Sequence, residues 1–417
     1  MSVRYGQTGS MPSTPTEGQP VPLDGSLPAS ALSELRACDS FGIYVHVPFC
    51  ASRCGYCDFN TYTATELGGD GTRESYVETV LAELALATRV LDGAAPAVST
   101  VFFGGGTPTL LPTDDLARIL DGIDKTFGLQ PGAEVTTEAN PESVAPASLH
   151  ALRRAGFTRI SLGMQSVAPH VLTTLDRRHT PGRATEAAAQ AREAGFDHVN
   201  LDLIYGTPGE RAEDFAASLD AVVRAGVDHV SAYSLIVEDG TRLAARVRRG
   251  ELTAPDDDDA ADRYLAAEER LTAAGFGWYE VSNWTRSADA ACRHNLGYWR
   301  GDHWWGLGPG AHSHIGGVRW WNVRHPTPYA RLLGQGHTPA QAREVLTAEQ
   351  RHVEDVMLRV RLAEGLALRH LTERGQAAAV RSVDQGLLDP AAHAAGRAVL
   401  TLRGRLLADA VVRDLVE

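Results

Sequence analysis

From residue 41 onward the chain alternates between two kinds of hydrophobic pattern. Short apolar runs at 41–47, 99–103, 134–137, 159–164, 198–204 and 229–235 have the length and composition of buried strands. Between them, at 76–90, 114–127, 148–155, 183–194 and 212–225, apolar residues recur at the spacing of one helical face. Strands that alternate with helices predict a parallel sheet with right-handed crossovers, an α/β fold of the partial TIM-barrel, (β/α)6 kind. The residues with chemical potential fall just after the C-terminal ends of these runs, the face on which barrel proteins carry their sites.

The pattern changes at both ends. Residues 1–38 are rich in Pro, Ser, Gly and Thr without a hydrophobic period, which predicts a disordered leader. A helical pattern at 257–274 leads into an aromatic and Gly-rich stretch from Trp278 to Trp321. The tail reads as several helices, followed at 399–408 by an apolar run with a turn at Arg403-Gly404, which predicts a short hairpin. The expected division is a leader at 1–38, a barrel at 39–285, a distinct segment at 286–325 and a small, mainly helical domain at 326–417.

A chain of 417 residues, 43% of them hydrophobic, can bury a large core, so a disordered or fibrous protein is excluded. The formal charge of −13 argues against nucleic acid as a partner. No apolar run approaches the roughly 18 residues that span a bilayer, so a cytoplasmic protein, at most peripheral to a membrane, is expected. Of five cysteines, three crowd into eight positions, unlike a secreted disulfide framework.

Cys50-Ala-Ser-Arg-Cys54-Gly-Tyr-Cys57 puts three thiolates on one loop. Structural zinc closes its shell with four protein ligands, so this loop needs either a distant fourth ligand or a centre with a free position. A cubane [4Fe–4S] cluster has four irons. Three cysteines leave one iron open to the amino and carboxylate groups of S-adenosylmethionine. A zinc loop and unconnected thiols are the competing accounts.

The C-x3-C-x2-C spacing, with Tyr56 before the last cysteine, resembles the radical-SAM superfamily. The resemblance narrows through Tyr44-Val-His-Val-Pro-Phe-Cys50, Cys57-Asp-Phe59, Gly104-Gly-Gly-Thr-Pro-Thr109, Glu138-Ala-Asn-Pro141, Gly163-Met-Gln-Ser166 and Asp202-Leu-Ile-Tyr-Gly206. These look like the oxygen-independent coproporphyrinogen III oxidase family over most of 41–321. The resemblance implies a radical-SAM partial barrel, a [4Fe–4S] cluster on Cys50, Cys54 and Cys57, and S-adenosylmethionine surrounded by Tyr44, Tyr56, Gly105, Gly106, Thr107, Glu138, Gln165, Arg177 and Asp202. Chemistry agrees with several of these roles: glycines admit a ligand's close approach, Glu138 suits an ammonium, Asp202 ribose hydroxyls and Arg177 a carboxylate.

Phe59 stands where the decarboxylating enzymes of that family carry a further cysteine. Cys292-Arg-His294-Asn-Leu-Gly-Tyr298-Trp299 resembles the haem-binding motif of the family's non-decarboxylating, haem-chaperone branch. The resemblance implies haem iron on His294 with the rings of Tyr298 and Trp299 beside the macrocycle. Read without it, a histidine among aromatics is a packed core residue. Cys292 is a small buried cysteine or a further link to haem. His312 and His314 rank below His294 as ligands. Asp256–Asp259 lacks the spacing of a calcium loop and reads as a helix start. Two functions follow as expectations: a haem carrier that delivers to acceptor haemoproteins, membrane respiratory proteins among them, or oxidative decarboxylation of coproporphyrinogen III. RNA modification is a third class that the charge disfavours. A flavodoxin or ferredoxin would serve as electron donor if the cluster cycles, and a monomer or a dimer is expected.

Overall fold

The computed structural model describes residues 18–67 and 71–416. Strands β1 (Phe41–Val47), β2 (Val98–Gly105), β3 (Leu129–Ala139), β4 (Arg159–Gln165), β5 (His198–Tyr205) and β6 (His229–Ser234) lie side by side, each parallel to the next. Helices Tyr76–Leu91, Thr113–Phe127, Pro146–Arg154, Arg183–Glu193 and Ala212–Ala225 connect them, so the predicted α/β partial barrel is the fold found. Strand alternation sorts the two faces. Along β1, Ile43, Val45 and Val47 are fully buried in a core shared with Val80, Leu84, Ile119 and Ile123 of the helices. Gly42, Tyr44 and His46 take the opposite, inner face.

The aromatic segment does not stand apart. Strands β7 (Gly277–Glu280), β8 (Asn283–Thr285), β9 (His303–Leu307), β10 (His312–Ile315), β11 (Val318–Asn322) and β12 (Ala340–Val345) extend the sheet to twelve strands in the order β12-β11-β10-β9-β1-β2-β3-β4-β5-β6-β8-β7. β9 runs parallel to β1, Phe41 opposite His303, and β8 runs antiparallel to β6. In His303-Trp-Trp-Gly-Leu307 the adjacent tryptophans fall on opposite faces, Trp305 with Leu307 in the core and Trp304 with Gly306 on the other side.

Three further expectations need correction. The chain is ordered well before residue 38: Ala29–Arg36 is a helix whose Ala31 and Leu35 are fully buried in the main core, two apolar positions that a composition count of the leader dilutes; residues 1–17 lie outside the described residues. The tail contributes β12, so it is not set apart from the sheet. Its apolar run at 399–408 forms no hairpin. Thr401 caps a short helix, Leu402–Leu406, by accepting from Gly404 N–H at 3.0 Å, and the helix Ala408–Val416 follows. A short pair in the tail joins Leu366–Ala367 to Arg397–Ala398 instead. The tail helices share their own core, with Val356, Val360, Leu388, Val411 and Leu415 at its centre.

Candidate functional site

β1 delivers the chain straight into the cysteine loop. Cys50 N–H donates to the Tyr62 carbonyl at 3.0 Å and Tyr62 N–H to the Pro48 carbonyl at 2.7 Å, closing the loop's base. Its middle is pinned from outside: Gly55 N–H donates to the Leu175 carbonyl at 3.0 Å, and Leu243 N–H to the Gly55 carbonyl at 2.8 Å. All three thiols are partly buried and free of disulfides. Burial pushes the Cys50 thiol up and Cys57 up to about 12, surroundings that disfavour a bare thiolate and that a bound cationic centre reverses. Arg177 Nη1 donates to Cys54 Sγ at 3.3 Å. Among the described residues, no group of three or more His, Cys, Asp or Glu side chains converges on one ion. A cubane does not require this, because its cysteines bind separate irons.

The strand ends beside this loop carry most of the other predicted residues. Glu138, at the end of β3, accepts from Gly105 N–H at 3.0 Å, and Gly105 holds φ +106°, a conformation that side chains rarely adopt. A Cβ on Gly106 would stand 2.5 Å from the Phe49 carbonyl oxygen, so this turn passes against the loop only as glycine. Asp202, on β5, accepts from Ser161 Oγ at 2.8 Å and Asn200 Nδ2 at 2.7 Å. Burial raises both acids. Glu138 reaches about 7, with the Asp202 charge adding repulsion. A cationic ligand beside them would favour the ionised form of both.

Gln165 has φ +64° at a register shift in β4, a left-handed non-glycine residue of the kind that marks functional sites. Arg177 crosses above it. Its Nη2 donates to the Gly163 carbonyl at 3.1 Å, while its buried Nε has no hydrogen-bond partner among the described residues. Tyr56 packs on the apolar cluster of Val171, Leu175, Ile204, Leu235 and Leu243, and Tyr44 bonds His46 Nδ1 through its hydroxyl at 3.1 Å. The donor set fits the groups that the sequence implies: three thiols, an unsatisfied guanidinium nitrogen, two acids and a glycine cradle on one barrel face.

His294 sits at the other end of the strands. The helix Arg293–Arg300 plugs the N-terminal mouth of the barrel, where Glu134 of β3 accepts from the N–H groups of Arg293 and His294, both at 3.0 Å. The imidazole is 3% exposed, and burial pushes it down to about 3, so it is neutral. Both ring nitrogens are taken: Nδ1 lies 2.8 Å from Thr100 Oγ1 and Nε2 lies 2.9 Å from the Tyr298 hydroxyl. Trp299 is half-buried on the same helix. Cys292 is buried, its Sγ 3.5 Å from Glu134 Oε1. His312 and His314 lie on β10, where burial pushes each down to about 4, and the Asp302 carbonyl holds His314 Nδ1 at 3.0 Å.

Several residues of this site were not singled out from the sequence. Thr100, Phe102 and Glu134 contact the His294 helix, and His46 ties Tyr44 to the Asn60 carbonyl at 2.9 Å. The period of two along β1 places His46 on Tyr44's face, a signal that would have found it. Thr100 and Glu134 carry no motif.

These features define a class. Residues 44–222 match the model of the Radical SAM superfamily, so the molecule is a radical-SAM barrel protein, and that class implies a [4Fe–4S] cluster and S-adenosylmethionine. The chain is 59% identical over 378 residues to the haem chaperone HemW of Mycobacterium tuberculosis, covering 90% of this chain and 95% of that one. It is 35% identical over 327 residues to HemW of Escherichia coli, covering 77% and 82%. The solved structure of the Escherichia coli coproporphyrinogen III oxidase HemN, a radical SAM enzyme, has the same fold, with a TM-score of 0.76 over 93% of this chain and 91% of that one at 23% identity. The chain belongs to the HemW family.

Proposed function

We infer that the protein is a haem chaperone: it binds haem and passes it to acceptor haemoproteins, and its barrel holds a [4Fe–4S] cluster with S-adenosylmethionine. The observation that carries this reading is the 59% identity to a protein named for that activity across 95% of its length. Phe59 supports it, because the decarboxylating relatives implied by the sequence place a cysteine there.

Cys50, Cys54 and Cys57 would hold the cluster. Tyr44, Tyr56, Gly105, Gly106, Thr107, Glu138, Gln165, Arg177 and Asp202 would surround S-adenosylmethionine. When bound, the pair supplies one-electron chemistry. The chain's own contributions are an arginine against Cys54, a glycine turn that leaves room for the ligand, and acids that answer positive charge. His294 would ligate haem iron, with Tyr298 and Trp299 beside the macrocycle once the helix Arg293–Arg300 has moved. The partners this reading calls for are haemoprotein acceptors, respiratory membrane proteins among them, and a flavodoxin- or ferredoxin-like donor if the cluster cycles. A cytoplasmic protein, monomeric or dimeric and at most peripheral to the membrane, suits that work. Among the described residues no helix is long and apolar enough to cross a bilayer.

Haem titration of anaerobically purified protein beside a His294→Ala variant tests the reading. Uptake of about one haem by the parent, lost in the variant, is the expected result. Sustained conversion of coproporphyrinogen III to protoporphyrinogen by cluster-loaded protein would sink it.

A further inference from the structure

A chain of hydrogen bonds runs along the inner face of the barrel to Asp202, and the direction of every bond in it is fixed. It begins at Cys292, whose backbone N–H donates to the Tyr279 hydroxyl oxygen at 3.2 Å. A backbone N–H can only donate. The other partner of that hydroxyl among the described residues is His229 Nε2 at 2.7 Å, so the O–H donates there. Burial and the charge of Arg159 push His229 well down from the usual imidazole range, so the ring is neutral and carries one proton. With its lone pair at Nε2, that proton sits on Nδ1, 2.7 Å from Asn200 Oδ1. The amide nitrogen of Asn200 is thereby turned to Asp202 Oδ1 and to Ser161 Oγ, both at 2.7 Å, and the Ser161 O–H donates in turn to Asp202 Oδ2 at 2.8 Å.

Strand register builds this chain. Asn200 and Asp202 are two apart on β5 and share a face, and Asn200 pairs with His229 of β6. Asn200 is 3% exposed and His229 2%, while Asp202 is only partly buried. Each bond excludes an alternative that would disarm the acid. An Asn200 amide rotated by half a turn would set its oxygen against the Asp202 carboxylate, and the His229 N–H holds it the other way. An imidazole with its proton on Nε2 would turn a lone pair to Asn200 and favour that rotation, and the Tyr279 O–H excludes this tautomer. Bonds aligned in one direction polarise one another, and the series ends on Asp202.

We propose that His229 and Tyr279 are positioning residues for S-adenosylmethionine: they lock the Asn200 amide so that Asp202 meets the ribose hydroxyls as an aligned carboxylate. The proposal rests on the reading of Asp202 as the ribose partner. Neither His229 nor Tyr279 touches the ligand in this account, and both act through Asn200.

The test is equilibrium dialysis of the cluster-loaded, full-length protein with S-adenosylmethionine and with its 2′,3′-dideoxy analogue, which lacks the hydroxyls. The ratio of the two affinities isolates the ribose contact, because a general loosening of the fold weakens both ligands alike. The parent is expected to prefer the natural ligand by about tenfold or more, the worth of a hydrogen bond to a charged group, and Asp202→Ala to abolish that preference. Tyr279→Phe keeps the ring and removes the hydroxyl, and His229→Leu removes the donor to Asn200. Each is expected to cut the preference by about threefold or more and to leave the analogue's affinity at the parent's value. A parent-like preference in Tyr279→Phe or in a folded His229→Leu overturns the proposal. Equal weakening of both ligands makes the two residues merely structural and overturns it as well. A preference that survives Asp202→Ala, or a parent that shows none, overturns the ribose reading and the proposal with it. Loss in Asp202→Ala beside a parent-like Tyr279→Phe overturns the proposal alone.

Discussion

Glu134 accepts the backbone N–H of His294 at 3.0 Å across 160 positions of sequence, and this bond seats the plug helix in the barrel. The same carboxylate takes the Arg293 N–H and lies 3.8 Å from Arg159, an ion pair in which the side chains are 4% and 2% exposed. A helix N-terminus carries unpaired N–H groups and partial positive charge, so one buried acid answers both the helix and the arginine. Replacing it with Gln strands Arg159 with the Ala290 carbonyl as its remaining hydrogen-bond acceptor. Glu134→Gln is expected to destabilise the fold by about 3 kcal/mol, the cost of breaking one side of a buried pair. Urea unfolding measures this, and limited proteolysis should cut the variant first within 286–302. A parent-like midpoint would show that the pair contributes nothing.

The cysteines divide cleanly by position. Cys50, Cys54 and Cys57 share one loop at the C-terminal strand ends, while Cys292 is buried beside Glu134 and Cys38 bonds the Ser40 carbonyl at 3.2 Å. Alanine at any of the first three is expected to abolish stable iron and acid-labile sulfide after anaerobic reconstitution. Alanine at Cys38 or Cys292 should leave both at the parent's stoichiometry. Full iron content in Cys54→Ala would remove the cluster from this loop.

Glu138 gives binding a pH dependence of definite sign. Burial and the Asp202 charge hold its carboxyl at about 7, so at lower pH it is protonated and cannot pair with an ammonium. Binding of S-adenosylmethionine to cluster-loaded protein should tighten about tenfold from pH about 6 to pH about 8, as ionisation goes from a minor to a major fraction. Glu138→Gln should bind more weakly and with little pH dependence. Equilibrium dialysis with labelled ligand reads both. A parent that binds equally at the two pH values would assign the ammonium to another group.

The barrel and its upper face were legible in the sequence because their signals are local. A seven-residue apolar strand, a cysteine triplet and a glycine run each declare themselves within ten positions, and parallel order follows from the alternation of strand and helix. The lower mouth was not legible. Nothing in the sequence brings Thr100 to His294 or Glu134 to Arg293, contacts that exist only once β2 and β3 lie side by side and a helix nearly 160 residues later folds beneath them. The aromatic stretch was set apart by composition, yet its strands pair in the same sheet, since tryptophans on half-buried strands look unlike the Val-rich strands of a parallel core. The helix at Ala29–Arg36 was hidden for a related reason, its two buried positions outnumbered by surrounding Pro and Ser.

Glu83, on the helix Tyr76–Leu91, is 1% exposed and gathers three donors from distant segments: Gly308 N–H at 2.8 Å, Tyr329 O–H at 2.5 Å and Asn322 Nδ2 at 2.7 Å. Burial outweighs these donors and lifts the carboxyl from 4.5 to about 7. A carboxyl raised on folding favours the native state most when it is protonated in both states. Its contribution is therefore full below about 4.5, is lost as pH rises to about 7, and is constant above that. A rise of this size corresponds to about 3 kcal/mol. Glu83→Gln has no proton to lose. Its amide places N–H groups against donors and lowers stability by an amount that does not vary with pH, so this cost cancels when one variant is compared with itself at two pH values. Urea unfolding at pH about 5 and about 8 should show the parent losing more stability over that interval than Glu83→Gln does, by a difference approaching 3 kcal/mol. Parallel losses in the two proteins would mean that Glu83 stays ionised throughout, held by its three donors.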